Sequence, residues 1–378
     1  MNNDLLTRSE CNALRGLAII GIFLHNYCHW LGPVVKENEY QYFQHNVDWL
    51  AQVSANIDAL IPVHIISFFG HYGVPIFLFL SAFGLERKYG GYSANKVSEA
   101  PSSGFLHVVE PSHRISIPRF IRYHYLKLFK MMIVGFICFT LIDAITPGSW
   151  HYNVEQIVGQ LLMINNFYTE PDHNIWPGPY WFFGLMLQLY IVYRLFFYKR
   201  HWGWIVGWMV VCTVAQAFFD PEGEVLNRWR YNCMGGMLPF GLGLLFARYG
   251  EKIMLLRLNS LGLLMSFVVT SFFIVSASGN FYTWMIVPAL VCYASVYFIK
   301  VVEVIPLQRF RTALYKLLEW MGSISAALFV IHPVVRKIFI PISRRGDVYA
   351  GLLLYIIASI GAAWLIKQVM KKMPSPKL

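Results

Sequence analysis

Apolar stretches of about 20 residues, the length a helix needs to cross a hydrocarbon core, recur along this chain with short polar breaks between them. Ten are visible: 13–31, 70–87, 129–146, 179–198, 203–219, 233–249, 259–278, 281–300, 320–340 and 348–368. The second is short and can be extended back toward Ile57. Residues 156–164 are apolar but too short to cross, which fits a re-entrant or interfacial piece. A hydrocarbon environment forces each crossing segment to satisfy its own backbone, so stretches of this length read as helices. Composition agrees: of 378 residues, 57% are hydrophobic and 13% charged, against roughly 25% charged in a soluble domain. The expected fold is all-α, a polytopic transmembrane helical bundle with about ten spans. It forms a single membrane-embedded domain over residues 1–378, with no separate soluble domain.

The net charge of +11 could suggest nucleic acid, but its distribution argues against that. Residues 87–130 hold eight Lys/Arg against two acids, and further basic clusters fall at 194–201, 248–257, 300–316 and in the tail. The intervening loops are acidic: 147–178 has Glu155, Glu170 and Asp172 and no Lys or Arg, and 32–57 has three acids and one lysine. This is the positive-inside pattern, and ten spans with both termini cytoplasmic satisfy it. One segment dissents, because Arg336, Lys337, Arg344 and Arg345 would lie outside. Either that segment binds something anionic, or the ninth and tenth spans are misplaced. The N-terminus has a nearly neutral start and no small-x-small cleavage site, so it reads as a retained helix rather than a signal peptide. Six cysteines show no CxxC and no paired spacing. They read as small hydrophobes, with neither a disulfide framework nor a metal site expected.

Polar groups inside such a bundle are costly and mark function by default. The first apolar stretch, RGLAIIGIFLHNYCHW, carries Arg15, His25 and His29. Histidine is the natural general base near neutral pH. Two of them one turn apart on a helix with an arginine favour catalysis over simple packing. GVPIFLFLSAFGLERK contains Ser81 among small neighbours, which close helix packing alone would explain. RFIRYHYLKLFK carries Arg119 and Arg122, open to two readings: snorkelling charges at a membrane boundary, or a clamp for phosphates. In MGSISAALFVIHPVVR, His332 precedes Pro333, and satisfying a carbonyl freed by the proline is its expected structural role.

Taken in order, these segments resemble acyltransferase family 3, integral membrane O-acyltransferases that modify glycans. The first helix resembles the family's RGLA…H, and FLFLSAF resembles its FFVLSGF. Arg119 and Arg122 match its R-x-x-R, PYWFFGLMLQLY resembles its central Trp-containing span, and Gly322, Ile324, Ser325, Leu328, Phe329 and His332 match its late G-x-I-S-x-x-L-Y-L-x-H. The resemblance covers essentially the whole chain. It implies transfer of an acyl group, usually acetyl, from coenzyme A to a hydroxyl of a surface polysaccharide, lipid-linked glycan or similar acceptor. It also implies residence in a bacterial inner (plasma) membrane. By the same resemblance the first-helix arginine and histidine are the essential pair, and the cytoplasmic arginines hold the CoA phosphates. No permanently bound cofactor is implied; acetyl-CoA or another acyl-CoA is a co-substrate.

The chain departs from the family pattern in three places. Arg15 and His25 are separated by nine residues, where relatives have ten. At about 100° per residue, His25 lies roughly 80° around the helix from Arg15, Asn26 roughly 20° and His29 roughly 40°. Either a local bulge realigns His25 or His29 is the base; depth favours His25, because His29 lies near the outer boundary and the deeper position keeps water from a thioester. The central span carries Gln188 where many relatives have a glutamate, and Ala82 replaces a glycine. The expected site is therefore Arg15 and His25 as the catalytic pair. His29, Asn26, Ser81, Arg119, Arg122, Trp181 and Gln188 contact substrate, and His332 supports. His29, Asn26, Ser81 and Trp181 are unranked candidates for stabilising the oxyanion. A transporter or flippase for a glycan or lipid is the alternative that ten spans and buried polar groups allow. It lacks the inverted repeat or paired broken helices expected of that class.

Overall fold

The computed structural model describes residues 5–90, 115–253 and 258–377. All regular structure among these residues is helical. The N-terminal half is built from α1 (Arg8–Cys28), α2 (Gln44–Ala55), α3 (Ile61–Phe69), α4 (Gly73–Tyr89), α5 (Ile117–Ile145), α6 (Val154–Leu162), α7 (Pro171–Asn174) and α8 (Trp181–Val192). There follow α9 (Trp202–Val214), α10 (Glu224–Tyr231), α11 (Cys233–Ile253), α12 (Ser260–Ala277), α13 (Phe281–Trp284), α14 (Val287–Val304), α15 (Gln308–Arg345) and α16 (Val348–Lys372).

Among the described residues, seven helical segments are long and apolar enough to cross a membrane: 61–89, 117–145, 178–197, 260–277, 287–304, 308–345 and 348–372. The expected count of about ten is not reached by this measure. The other three stretches are helical, but each falls short for a visible reason. Residues 202–218 are apolar but brief. α11 is rich in glycine, and α1 carries Arg15, His25 and Asn26. The second expected span does begin earlier: α3 and α4 are joined by a 3₁₀ turn at Gly70–Tyr72 into one path from Ile61. The part of the basic stretch after α4 that spans 91–114, with Lys96 and Arg114, lies outside the described residues, as does Arg257.

The dissenting charges are explained by packing. Arg336 and Lys337 belong to α15, which runs on to Arg345. Arg336 Nη1 donates to the Asn26 carbonyl at 3.1 Å and to the Asn26 side chain, and its guanidinium lies 4.6 Å from the centre of the Trp30 ring. Lys337 pairs with the buried Asp143 of α5, and Arg344 donates to the Trp30 carbonyl at 2.8 Å. Three of the four charges therefore have partners inside the protein.

α1 is central. A capping box starts it: Glu10 N donates to Thr7 Oγ1 at 3.1 Å, and Thr7 N donates to the Glu10 carboxylate at 2.6 Å. It packs chiefly against α15, and also against α4 and α3. Small residues set these crossings. A Cβ on Gly16 would collide with the Leu318 carbonyl, and one on Gly322 with the Asn12 carbonyl. At the other end, a Cβ on Gly70 would lie 2.6 Å from His25 Cβ and 2.7 Å from the Gly21 carbonyl oxygen. That close approach brings the α3–α4 turn against His25.

Candidate active site

His25 and His29 meet. Both lie at the end of α1, which runs as an uninterrupted α-helix from Arg8 to Cys28, so the bulge considered above is absent. A one-turn offset suffices to bring His25 Nε2 within 3.1 Å of His29 Nδ1. His25 Nδ1 lies 2.7 Å from the Ser67 carbonyl oxygen of α3. A carbonyl only accepts, so Nδ1 carries the hydrogen and the neutral ring keeps its lone pair on Nε2. The helix geometry thus defines which nitrogen can take a proton.

A third group completes the cluster. Glu37 Oε1 lies 3.3 Å from His29 Nδ1 and 4.0 Å from His25 Nε2. Burial alone would raise the Glu37 carboxyl. The charge and hydrogen bond of His29, with His25 behind it, outweigh burial and hold it below the usual carboxylate range. The hydrogen on His29 Nδ1 has two acceptors; given to Glu37, it leaves His25 Nε2 open to a substrate hydroxyl. The same three atoms, all within 4.8 Å of one another, could also hold a small cation, since tetrahedral zinc takes His and carboxylate ligands. A lone pair on His25 serves a proton or a metal, not both.

Glu37 reaches this position because the segment after α1 folds inward instead of lying over the surface. Val34 and Val35 are fully buried. Ser67 Oγ donates to the Val35 carbonyl at 2.6 Å, Val35 N donates to His64 Nδ1 at 3.1 Å, and Trp284 Nε1 donates to the Asn38 carbonyl at 2.9 Å. Sequence reasoning read the acids of 32–57 as a topology signal and missed Glu37 as a site residue. Its only local signal was a carboxylate eight residues after His29.

The remaining expected residues divide between two ends of the bundle. Trp181 lies on the histidine side, edge-on to Tyr40 at 5.3 Å and to Tyr231 at 5.7 Å between ring centres. Asn26 is committed to Arg336. Gln188 joins α8 to α11, donating to Asn232 Oδ1 and accepting from Cys233 N, both at 2.8 Å. His332 Nδ1 donates back to the Leu328 carbonyl at 3.0 Å, one residue before the carbonyl that Pro333 leaves without its helical donor. Arg15 lies about 15 Å along α1 from His25. It is close to Tyr190, whose hydroxyl faces Ser81, and shares the surroundings of Cys11 with Arg87. Arg119 and Arg122 are exposed on the first turns of α5. Lys88 sits 5.0 Å over the Tyr123 ring and Tyr89 sits 5.2 Å from Phe120, which joins the end of α4 to the start of α5. The basic residues and Ser81 thus gather at one end of the bundle, and the histidines, Glu37 and Trp181 at the other.

An all-helical membrane bundle with an imidazole pair and a carboxylate beside its central helix has the parts of a group-transfer enzyme. The family model described as an acyltransferase domain matches residues 8–368, nearly the whole chain, and the protein belongs to that family, acyltransferase family 3. No curated protein and no solved structure matches the chain. The protein is an integral membrane acyltransferase.

Proposed function

We propose that the protein moves an acyl group, most simply acetyl, from coenzyme A to a hydroxyl of a glycan or lipid-linked sugar, with His25 as general base. The observation that carries this is the bond from His25 Nδ1 to the Ser67 carbonyl, 2.7 Å long, which leaves the Nε2 lone pair beside Glu37. In the reaction, Nε2 takes the proton of the acceptor hydroxyl as its oxygen attacks the thioester carbonyl. The tetrahedral intermediate collapses with loss of the C–S bond, and the CoA thiolate takes the proton back from the imidazolium. Glu37, bonded to His29, stabilises that imidazolium by its charge. General-base assistance of this kind is worth about 10² to 10⁴ in rate.

The donor enters from the opposite end. Arg15, Arg119 and Arg122 offer guanidinium forks to the CoA phosphates, and the thin pantetheine arm covers the roughly 15 Å from Arg15 to His25 along α1. On this reading the basic end is cytoplasmic, both termini are cytoplasmic, and the acceptor arrives from outside at the Glu37 end. Deep placement of His25 keeps water from the thioester. The test is to incubate membranes containing the protein with labelled acetyl-CoA. Label in glycan, absent with His25→Ala, is expected; CoA-independent movement of unlabelled glycan across the membrane would favour a transporter instead.

A further inference from the structure

A small cavity adjoins the histidine cluster. It encloses about 40 Å³ between the α3–α4 turn, the start of α8, α11 and the inward-folded segment after α1; its walls include His71, Glu39, Tyr40, Trp181 and Arg230. That is room for a few waters or for one polar substituent of a larger molecule. Two wall residues point to a ligand. His71 is 4% exposed, neither ring nitrogen makes a well-aligned hydrogen bond among the described residues, the Phe68 carbonyl nearby included, and its ring centre is 5.5 Å from that of His25. Buried polar atoms are normally paired, so such an orphan calls for an occupant.

Arg230 is the second. Its guanidinium stacks 4.0 Å from the centre of the Trp284 ring, with Nε donating to the Glu39 carbonyl at 2.7 Å and Nη1 to Gln216 Oε1 at 3.1 Å. Both acceptors are neutral. Among the described residues no carboxylate oxygen lies within 4.0 Å of it, whereas the enclosed Arg248 side chain pairs with Glu86 at 2.9 Å; Arg336 also has only neutral partners but does not line this cavity. Glu39 is the nearest candidate counter-charge. Its carboxylate oxygens stay beyond 4.0 Å of the guanidinium, which reaches Glu39 only at its backbone carbonyl. Arg230 is lowered by burial only to about 10 and stays charged. A cation in a cavity wall, lacking an anion, is electrostatically incomplete.

Resting on the reading of His25 as the site of acyl transfer, we infer that this cavity is the acceptor subsite and that it takes an anionic oxygen group carried by the sugar. The acceptor is then an acidic sugar or a sugar phosphate, not a neutral sugar. Arg230 pairs its remaining N–H groups with carboxylate or phosphate oxygens. Tyr40 and Trp181 line the same wall, and His71 holds an oxygen of that anionic group next to the hydroxyl that His25 deprotonates.

The experiment uses the full-length protein in nanodiscs with labelled acetyl-CoA and three acceptors: glucose, glucuronic acid and glucose 1-phosphate. At least tenfold higher kcat/KM for one or both anionic acceptors over glucose is expected, and the winning arm identifies carboxylate or phosphate. Arg230→Gln should collapse that ratio, chiefly through KM, and Arg230→Lys should restore part of it. Equal or better use of glucose by the wild-type protein would overturn the inference while leaving acyl transfer standing. Label in none of the three would count against the transfer reading. Binding then tests the subsite alone: protection against thermal unfolding by glucuronic acid or glucose 1-phosphate but not by glucose, lost in Arg230→Gln, supports it. No differential protection overturns it.

Discussion

His25 Nε2, His29 Nδ1 and Glu37 form a chain in which only His25 is fixed by a backbone acceptor on its far side. Their substitutions should therefore differ in severity. His25→Ala is expected to lower acyl transfer by about 10² to 10⁴ with little change in melting temperature. Glu37→Gln should cost on the order of tenfold, because it removes a stabilising charge but no reacting atom. His29→Ala should retain measurable turnover. CoA release and acceptor labelling by purified variants measure all three, and near-normal transfer by His25→Ala with loss in His29→Ala would reverse the assignment. Glu39 belongs to the same scale. Its carboxyl is raised from 4.5 to about 8, first by burial and then by Glu37. The folded state thus holds a proton that the unfolded state releases. That contribution is complete below the ordinary carboxylate range and is lost as pH rises through about 8. The stabilisation of wild type relative to Glu39→Gln should shrink between pH 5 and pH 8.5, whatever the slope of either protein alone; a constant melting-temperature difference would place the Glu39 proton elsewhere.

At the scale of elements, α1 and α15 form the axis on which the site depends. Two glycines allow their contact, Gly16 facing the Leu318 carbonyl and Gly322 facing the Asn12 carbonyl. Backbone cannot yield as a side chain can. Gly16→Val or Gly322→Val should force the helices apart, cost on the order of 1–3 kcal/mol, and weaken catalysis by displacing His25 relative to Ser67. Thermal unfolding alongside labelled-acetyl transfer tests this. Wild-type melting in both variants would mean that the crossing is looser than these contacts require. The hydrogen bonds from Arg336 to Asn26 and the pair of Lys337 with Asp143 hold the same axis further along, so these two charges have partners inside the protein.

At the scale of the whole molecule, orientation and metal dependence are open to direct measurement. If the basic end is cytoplasmic, a single cysteine at Glu224 should react with a membrane-impermeant reagent from outside, and one at Lys371 should not. The reverse result would bring CoA to the wrong end of α1. Because the proposed mechanism uses the His25 lone pair for a proton, treatment with a strong chelator should leave acyl transfer unchanged. Loss of activity restored by zinc would instead assign His25, His29 and Glu37 to a metal ion.

The helical character of the chain, the positions of its long apolar segments and its family were legible in sequence, because a hydrocarbon-spanning helix satisfies its backbone locally and writes its length directly into composition. The pairing of His25 with His29 was half legible: a spacing of four puts two side chains on neighbouring turns, but helical phase alone set the two against each other as rivals. What lies across the helix was not legible. Ser67 chooses the tautomer of His25 from 42 positions away. Arg336, read as a misplaced loop charge, is tied to Asn26 across 310 positions. Glu37 and Glu39, His71, and Arg230 come from three separate segments with no shared motif. Their meeting depends on glycine-permitted helix crossings and on a segment that turns inward after α1, and both are decided by which surfaces pack together, not by any local preference of the residues themselves.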